Sequence, residues 1–263
     1  MSKTQKIYLG QDPIYDFRFG EHKIILAQGD NSEVFIDSST VLYLDTTNPD
    51  SYNGTGTTWY DLSSTGNDCD ATNLTGSWDS NGYFDIPFDS WVGPATVTHA
   101  SSLNVFDGDF TIQIVGSMDE SAGTPDDLTG IFGKRAFSSS PGVGHLFVRN
   151  PADGNYKKTV LYINNSSVGV SSAVFTSLGD WFIVHYVRSG STVTYYSENS
   201  SIHSGTNSSN GNNTLDFKIG GANNTSTNQR WAGKIANVAI YDKALSSTER
   251  QQNVDYYKAK LGF

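Results

Sequence analysis

The chain has 263 residues and a formal net charge of −10, enough length for one large β domain or two ordinary ones. The acidic balance and the absence of a basic patch exclude an ordinary nucleic-acid binder and give no attraction to anionic membranes. A single cysteine, Cys69, excludes an internal disulfide and suits folding in a reducing cytoplasm. The opening MSKTQKIYLGQDPIYDF has no uninterrupted apolar core of the signal-peptide kind, and no apolar run approaches the length of a membrane span. Abundant Tyr and Phe among Gly, Ser, Thr and Asn favour strands and turns over helices, because aromatic and β-branched side chains fit a pleated, half-buried surface.

In chain order, residues 1–40 read as a short N-terminal β segment. Strand-like stretches occur at Lys6–Leu9, Tyr15–Phe19, Lys23–Leu26 and Glu33–Ile36, with turns at Gly20 and at Gly29–Asn31. Tyr15, Phe17 and Phe19 alternate with Asp16 and Arg18, the period-two pattern of a half-buried strand. So few short strands bury little surface, so this segment is expected to dock, and on a partner.

From Val41 the rhythm is steadier. Strands are expected at Val41–Leu44, Gly82–Phe88, Phe110–Ser117, Gly130–Lys134, His145–Arg149 and Thr159–Asn164. Further ones are expected at Val168–Phe175, Trp181–Arg188, Thr192–Ser197, Leu215–Ile219 and Gly233–Tyr241. Trp181–Ser197 is the clearest hairpin, turning at 188–191. Regular short strands between turn signals predict a sandwich or barrel over residues 41–263. Two polar stretches, 197–213 and 220–230, read as loops, either surface linkage or a hydrogen-bonding rim for a polar ligand. Ser246-Ser-Thr-Glu249 is a capping box opening one C-terminal helix, with Val254, Tyr257 and Leu261 on a single face and Gly262 as its stop.

Catalytic patterns are missing. Glutamates occur only at 21, 33, 120, 198 and 249, none of them paired along a strand as glycoside hydrolysis would use them. No G-x-S-x-G, P-loop or H-E-x-x-H occurs, and Gly54-Thr-Gly56 reads as a turn. His185 lies in an apolar strand, where a satisfied core or interface histidine is expected. Asp68-Cys-Asp-Ala-Thr72 starts like a calcium loop. It then departs from the pattern, with Asn73 where the turn glycine belongs and Asp79 where the bidentate glutamate belongs. No cofactor is expected, although a Ca²⁺ ion held by separate loops stays open on sequence grounds.

The stretch Leu42–Gly76, LYLDTTNPDSYNGTGTTWYDLSSTGNDCDATNLTG, resembles the entry segment of laminin-G-like domains of the concanavalin A-like lectin/glucanase superfamily, particularly those of bacteriophage virion proteins. Asp45, Asn48, Pro49, Ser51, Tyr52, Gly54, Gly56, Trp59, Asp61, Leu62, Ser63, Gly66 and Asn67 carry the likeness. The tail WAGKIANVAIYDKALSSTERQQNVDYYKAKLGF resembles the family's last strand and closing helix. The resemblance implies an all-β, antiparallel two-sheet jelly-roll sandwich with a C-terminal helix. In that frame Trp59 and Tyr60 would anchor the fold-back, and Asp61 would accept amides from the turn at Ser63–Gly66.

Relatives that hydrolyse glycans use an E-x-D-x-x-E-like strand, which is absent here. The expectation is therefore a non-enzymatic virion structural protein, a capsid or tail decoration assembled in the host bacterial cytoplasm and displayed on the virion surface. Residues 1–40 would meet other virion proteins, a homo-oligomer being one form, and the sandwich would hold cell-surface glycans. The alternatives are a host-receptor-binding tail or fibre protein and a glycan hydrolase using dispersed aspartates. For a ligand, the aromatic and amide residues Trp91, Asn223, Asn224, Asn228, Arg230 and Trp231 are candidates, with Trp231 also suited to packing at a strand entrance.

Overall fold

The computed structural model describes residues 17–19, 22–24, 33–87, 93–119, 128–135, 141–148, 157–221 and 231–263. Its strands are β1 Phe17–Phe19, β2 His22–Ile24, β3 Thr40–Asp45, β4 Thr58–Trp59, β5 Cys69–Asp70, β6 Trp78–Asp79, β7 Tyr83–Ile86, β8 Ala95–Val97, β9 Phe110–Met118 and β10 Leu128–Thr129. They continue with β11 Phe132–Lys134, β12 Val143–Val148, β13 Lys158–Ile163, β14 Ser166–Ala173, β15 Trp181–Ser189, β16 Thr192–Ser197, β17 Ser200–Thr206, β18 Phe217–Ile219 and β19 Gly233–Tyr241. One helix, α1 Ser247–Leu261, closes the described chain.

Two antiparallel sheets form the body, as expected. The first runs β14-β13-β12-β11-β18-β8-β5-β4, with β10 also on β12, and the second runs β17-β16-β15-β9-β19-β7-β6, with β3 also on β19. β19 pairs along its length with β9, while β7 and β3 share its other edge end to end. A bulge at Ala236 shifts the alternation so that Ile235, Val238 and Ile240 enter the intersheet core while Asn237 faces the other way. Thr46 takes the bulge carbonyl through both its amide and its hydroxyl, each at 2.9 Å.

The core between the sheets is rich in aromatic rings. Phe132 lies parallel to Phe217 and to His145, and Phe147 meets Phe182 and Trp231. A second apolar layer lies on the outer face of the second sheet, where Tyr43, Val115, Ile183, Ala239 and Tyr241 receive Leu245, Val254 and Tyr257. β9 is therefore buried at every residue: Phe110, Ile112 and Ile114 enter the core while Thr111, Gln113 and Val115 face the helix side. The helix start is the capping box read from sequence, with Ser246 accepting from the Glu249 amide and Glu249 accepting from Ser246 N at 2.7 Å. Gly262 ends the helix in the left-handed region at φ 75°.

Several boundaries differ from expectation. The polar stretch 197–213 contains β17, which adds to the hairpin through Thr192↔Thr206 to Ser197↔Ser200. It is an edge strand exposed along much of its length, so its sequence carries no apolar alternation. Glu33–Ile36 is not a strand. It is an extended strap whose backbone bonds to side chains instead, Phe35 N donating to Asn253 Oδ1 at 2.7 Å and Phe35 O accepting from the Tyr241 hydroxyl at 3.2 Å. The strap thus packs on the body ahead of residue 41, although the sequence-based division falls at 40. Phe17–Phe19 and His22–Ile24 form a hairpin, Phe17↔Ile24. Lys6–Leu9 and the turns at Gly20 and 29–31 lie outside the described residues.

Candidate functional site

The Leu42–Gly76 segment is a structural pin, as its turn residues suggested. The Asp61 carboxylate accepts the amides of Tyr43 (2.8 Å), Ser63 (2.9 Å) and Asn67 (2.8 Å) and the hydroxyl of Ser63. Asn67 Nδ2 donates to Val41 O, tying the turn to β3. Gly54 and Gly56 take φ of +85° and +80°, the left-handed turn positions glycine fills without strain. Trp59 is wholly buried against Phe84. Tyr60 departs from expectation: it is 54% exposed and not buried as an anchor. Its place is set through the backbone, Tyr60 N donating to Ser51 O and Tyr60 O accepting from the Ser51 hydroxyl.

This pin builds the edge of the first sheet. β4 pairs with β5, β5 with β8, and β8 with β18. Trp59, Cys69, Val97 and Phe217 point inward and are buried. The alternate residues point outward and stand opposite one another in register, as Thr58↔Asp70, Asp70↔Thr96 and Thr96↔Lys218. The result is a row of hydroxyl, carboxylate, hydroxyl and ammonium, repeating at about 4.8 Å across the strands. Beside it, Thr57, Thr58, Asp68, Asp70, Thr96 and Thr98 surround an open hollow of about 310 Å³ floored by Cys69. Tyr60 follows directly after β4, and the next residue, Asp61, is held through its N by Asp68 Oδ1 at 2.9 Å.

The patch is acidic. The hydroxyl and amide of Thr72 hold the Asp70 carboxyl below the usual carboxylate range. Burial opposes ionisation of Asp216, but the His99 amide and the Lys218 ammonium outweigh it and bring that carboxyl down too. Lys218 Nζ bonds Thr96 Oγ1 at 2.8 Å and Asp216 at 3.3 Å. Ionised carboxylates are strong acceptors for hydroxyl donors, and threonine hydroxyls both give and take. The exposed Tyr60 ring, directly after β4, offers a flat apolar face. Chemically, the arrangement suits a neutral, hydroxyl-rich ligand and disfavours a carboxylated one.

Of the sequence-based ligand candidates, Trp91, Asn223, Asn224, Asn228 and Arg230 lie outside the described residues. Trp231 is 0% exposed and packs on Phe147 and Phe182, which is the packing role at a strand entrance. It therefore faces the core. The sequence marks Tyr60 as an anchor and Asp68 and Asp70 as the start of a broken calcium loop, but does not join them with Thr58, Thr96 and Lys218 into one patch, because two-residue strands are too short to display alternation and their pairing joins segments far apart in sequence.

Of the three glutamates in the described residues, Glu198 pairs with Lys258 at 2.7 Å, Glu249 serves the helix cap and Lys243, and Glu33 lies at the exposed start of the strap. Among the described residues, no three His, Cys, Asp or Glu side chains gather as a metal would require. His185 is a buried, hydrogen-bonded histidine, as its strand suggested.

A family model described as concanavalin A-like lectin/glucanases superfamily, of the laminin G type, matches residues 88–249. A search of curated proteins finds no match. Among solved structures, Trypanosoma rangeli sialidase in complex with sialic acid superposes with a TM-score of 0.60 at 15% identity, over 85% of this chain and 34% of the sialidase. The binding domain of Paraclostridial Mosquitocidal Protein 1 superposes with a TM-score of 0.61 at 13% identity, over 83% of this chain and 52% of that one. The chain thus spans about a third of the sialidase's length, and at these identities the likeness is one of fold.

Proposed function

Since the chain belongs to the concanavalin A-like lectin/glucanases superfamily, we propose that it is a non-enzymatic module that holds neutral saccharides through the outward patch of Tyr60, Thr58, Asp70, Thr96 and Lys218. The observation that carries this reading is the in-register row of hydroxyl, carboxylate and ammonium groups, with an exposed tyrosine directly after β4. Sugar rings present an apolar face for a flat ring and equatorial hydroxyls for carboxylates and threonines. One such open site binds weakly, and several copies on one particle would add avidity. Its acidic character sets it against sialic acid and uronic acids. A glycan array tests it: neutral hexose polymers should bind, with or without calcium, and carboxylated glycans should not. Signal confined to carboxylated glycans, or none, ends this reading.

The absence of a hydrolytic centre belongs to the same proposal. It is supported by the employment of two of the three described glutamates, Glu198 in a surface ion pair and Glu249 in a helix cap. Release of reducing sugar from a polysaccharide panel would overturn it.

We also propose the setting: a bacteriophage particle, with the residues ahead of the sandwich docking on other virion proteins. The support is the likeness of Leu42–Gly76 to the entry segment of laminin-G-like domains in phage virion proteins. Particles carrying a chain without residues 1–40 should lack the subunit; incorporation of that chain would refute the docking role. Whether the module decorates a capsid or reads a host receptor from a tail turns on where a labelled subunit appears on the particle.

A further inference from the structure

Three Asn-Gly pairs occur in the sequence, Asn53-Gly54, Asn81-Gly82 and Asn210-Gly211, and all three lie among the described residues. In such a pair the glycine amide nitrogen can close a small ring on the asparagine side-chain carbon, because glycine has no side chain to obstruct the approach. The attack requires that nitrogen to give up its proton, so an N–H already bonded to a carbonyl must first be released. The fold treats the three nitrogens differently. Gly82 N donates to Asp79 O at 3.0 Å, and Gly211 N, in a buried residue, donates to Phe106 O at 2.9 Å. Gly54 N has no hydrogen-bond partner among the described residues, and Asn53 is exposed.

The side-chain amides differ as well. Asn53 Oδ1 accepts from Thr55 N at 3.1 Å and from the Thr55 hydroxyl at 2.8 Å. The backbone donor fixes this end of the amide as the oxygen. Two donors on that oxygen draw charge from Cγ, and they stand where negative charge builds as a nucleophile adds. Asn81 has the reverse arrangement: its Nδ2 donates to the Asp79 carboxylate at 2.8 Å, which leaves its amide carbon richer in charge. Asn210 Oδ1 accepts from Asn212 N at 2.7 Å, but the nitrogen that would attack it is the buried, bonded one.

We propose that Asn53 is a self-modification site, at which Gly54 N attacks Asn53 Cγ while Thr55 holds the oxygen. Hydroxide from water takes the Gly54 N proton and the N–Cγ bond forms. The Cγ–Nδ2 bond then breaks, and Nδ2 takes up a proton and leaves as ammonia, with a succinimide remaining. Water opens that ring at either carbonyl. Opening at Cγ gives aspartate, and opening at the main-chain carbonyl gives isoaspartate, whose backbone runs through the former side chain. The net change consumes one water, releases ammonia and replaces a neutral amide with a carboxylate.

The loop has little room for the longer product. A Cβ on Gly54 would meet Trp78 Nε1 at 2.4 Å. The Tyr52 hydroxyl spans the loop to Gly56 O at 3.1 Å, and the Tyr52 ring packs edge-on to Trp78. Either product also adds a negative charge to the segment that leads into β4.

The test holds the full folded chain in mildly alkaline buffer. Timed samples are digested, and the peptide carrying each Asn-Gly pair is separated into its Asn, Asp and isoaspartate forms by chromatography and mass. Asn53 should convert about tenfold faster than Asn81 or Asn210, the scale of releasing one amide hydrogen bond. In denaturant, where the fold no longer separates them, the three rates should converge. Thr55→Val should slow Asn53 about fivefold in the folded chain, the size of one net hydrogen bond, and Thr55→Ser should restore the rate. Asn53 persisting while Asn81 or Asn210 converts, three equal rates in the folded chain, or a Thr55→Val rate equal to wild type would each overturn the proposal. The ranking of the three sites comes from the wild-type chain, so a variant that fails to fold does not disturb it.

Discussion

His145 should make the sandwich acid-sensitive. Its ring is wholly buried, parallel to Phe132 with centroids 5.4 Å apart and edge-on to Phe147 at 4.7 Å. Nδ1 accepts weakly from Ile131 N at 3.4 Å, and Nε2 has no partner among the described residues. Burial therefore pushes the imidazole from 6.5 down to about 3. The unfolded chain takes the proton first as pH falls, so stability is lost from about pH 6.5 downward and the loss levels off only near pH 3. At pH 5 the gap is about 1.5 units, or ~2 kcal/mol.

The perturbation that isolates this term is His145→Phe, a ring of similar size that cannot titrate. Urea unfolding at pH 7.5 and 5.0 gives the stability change for each protein. Contributions from other groups are common to both and cancel in the comparison. Wild type should lose about 2 kcal/mol more than the variant on acidification. A difference below about 0.5 kcal/mol would mean that the buried ring takes its proton without cost.

Other expectations follow from single contacts. Asp61→Ala strips three amides of their acceptor and should cost about 2–4 kcal/mol in chemical denaturation. Gly233 has φ +126°, and a Cβ there would meet Ser117 O at 2.2 Å, so Gly233→Ala should lower stability by at least ~2 kcal/mol; a neutral outcome in thermal melts would contradict the packing. Burial raises the Cys69 thiol, so it should resist an exchange reagent in native buffer and react promptly in denaturant. Tyr60→Ala should leave the melting temperature unchanged while weakening saccharide binding about tenfold, the scale of one lost ring contact in a small site.

The long strands were legible because a strong physical signal marks each. Phe110–Met118, Trp181–Ser189 and Gly233–Tyr241 alternate or run apolar over nine residues, and the helix announces itself by Ser246 and Glu249. Thr58–Trp59 and Cys69–Asp70 are two residues each and show no period. Ser200–Thr206 gains its strand from pairing with Tyr195 and its neighbours, not from its own composition. The strap at Phe35 looked like a strand because Val34, Phe35 and Ile36 are β formers, yet its partners are side chains of α1 and β19. The outward patch joins positions 58, 70, 96 and 218, and only the sheet order brings those together. The pinning turn, by contrast, was readable from Asp61 and the glycines because its bonds to Ser63 and Asn67 are local, although those to β3 are not.

The most direct measurement is a titration of isotope-labelled protein with a neutral oligosaccharide that scores on the array, followed residue by residue in amide spectra. Shifts clustered on Thr58, Tyr60, Asp68, Asp70, Thr96 and Lys218 are the expected outcome. Saturable shifts confined to the opposite sheet or to the helix would contradict the assignment of this face as the one that holds sugar.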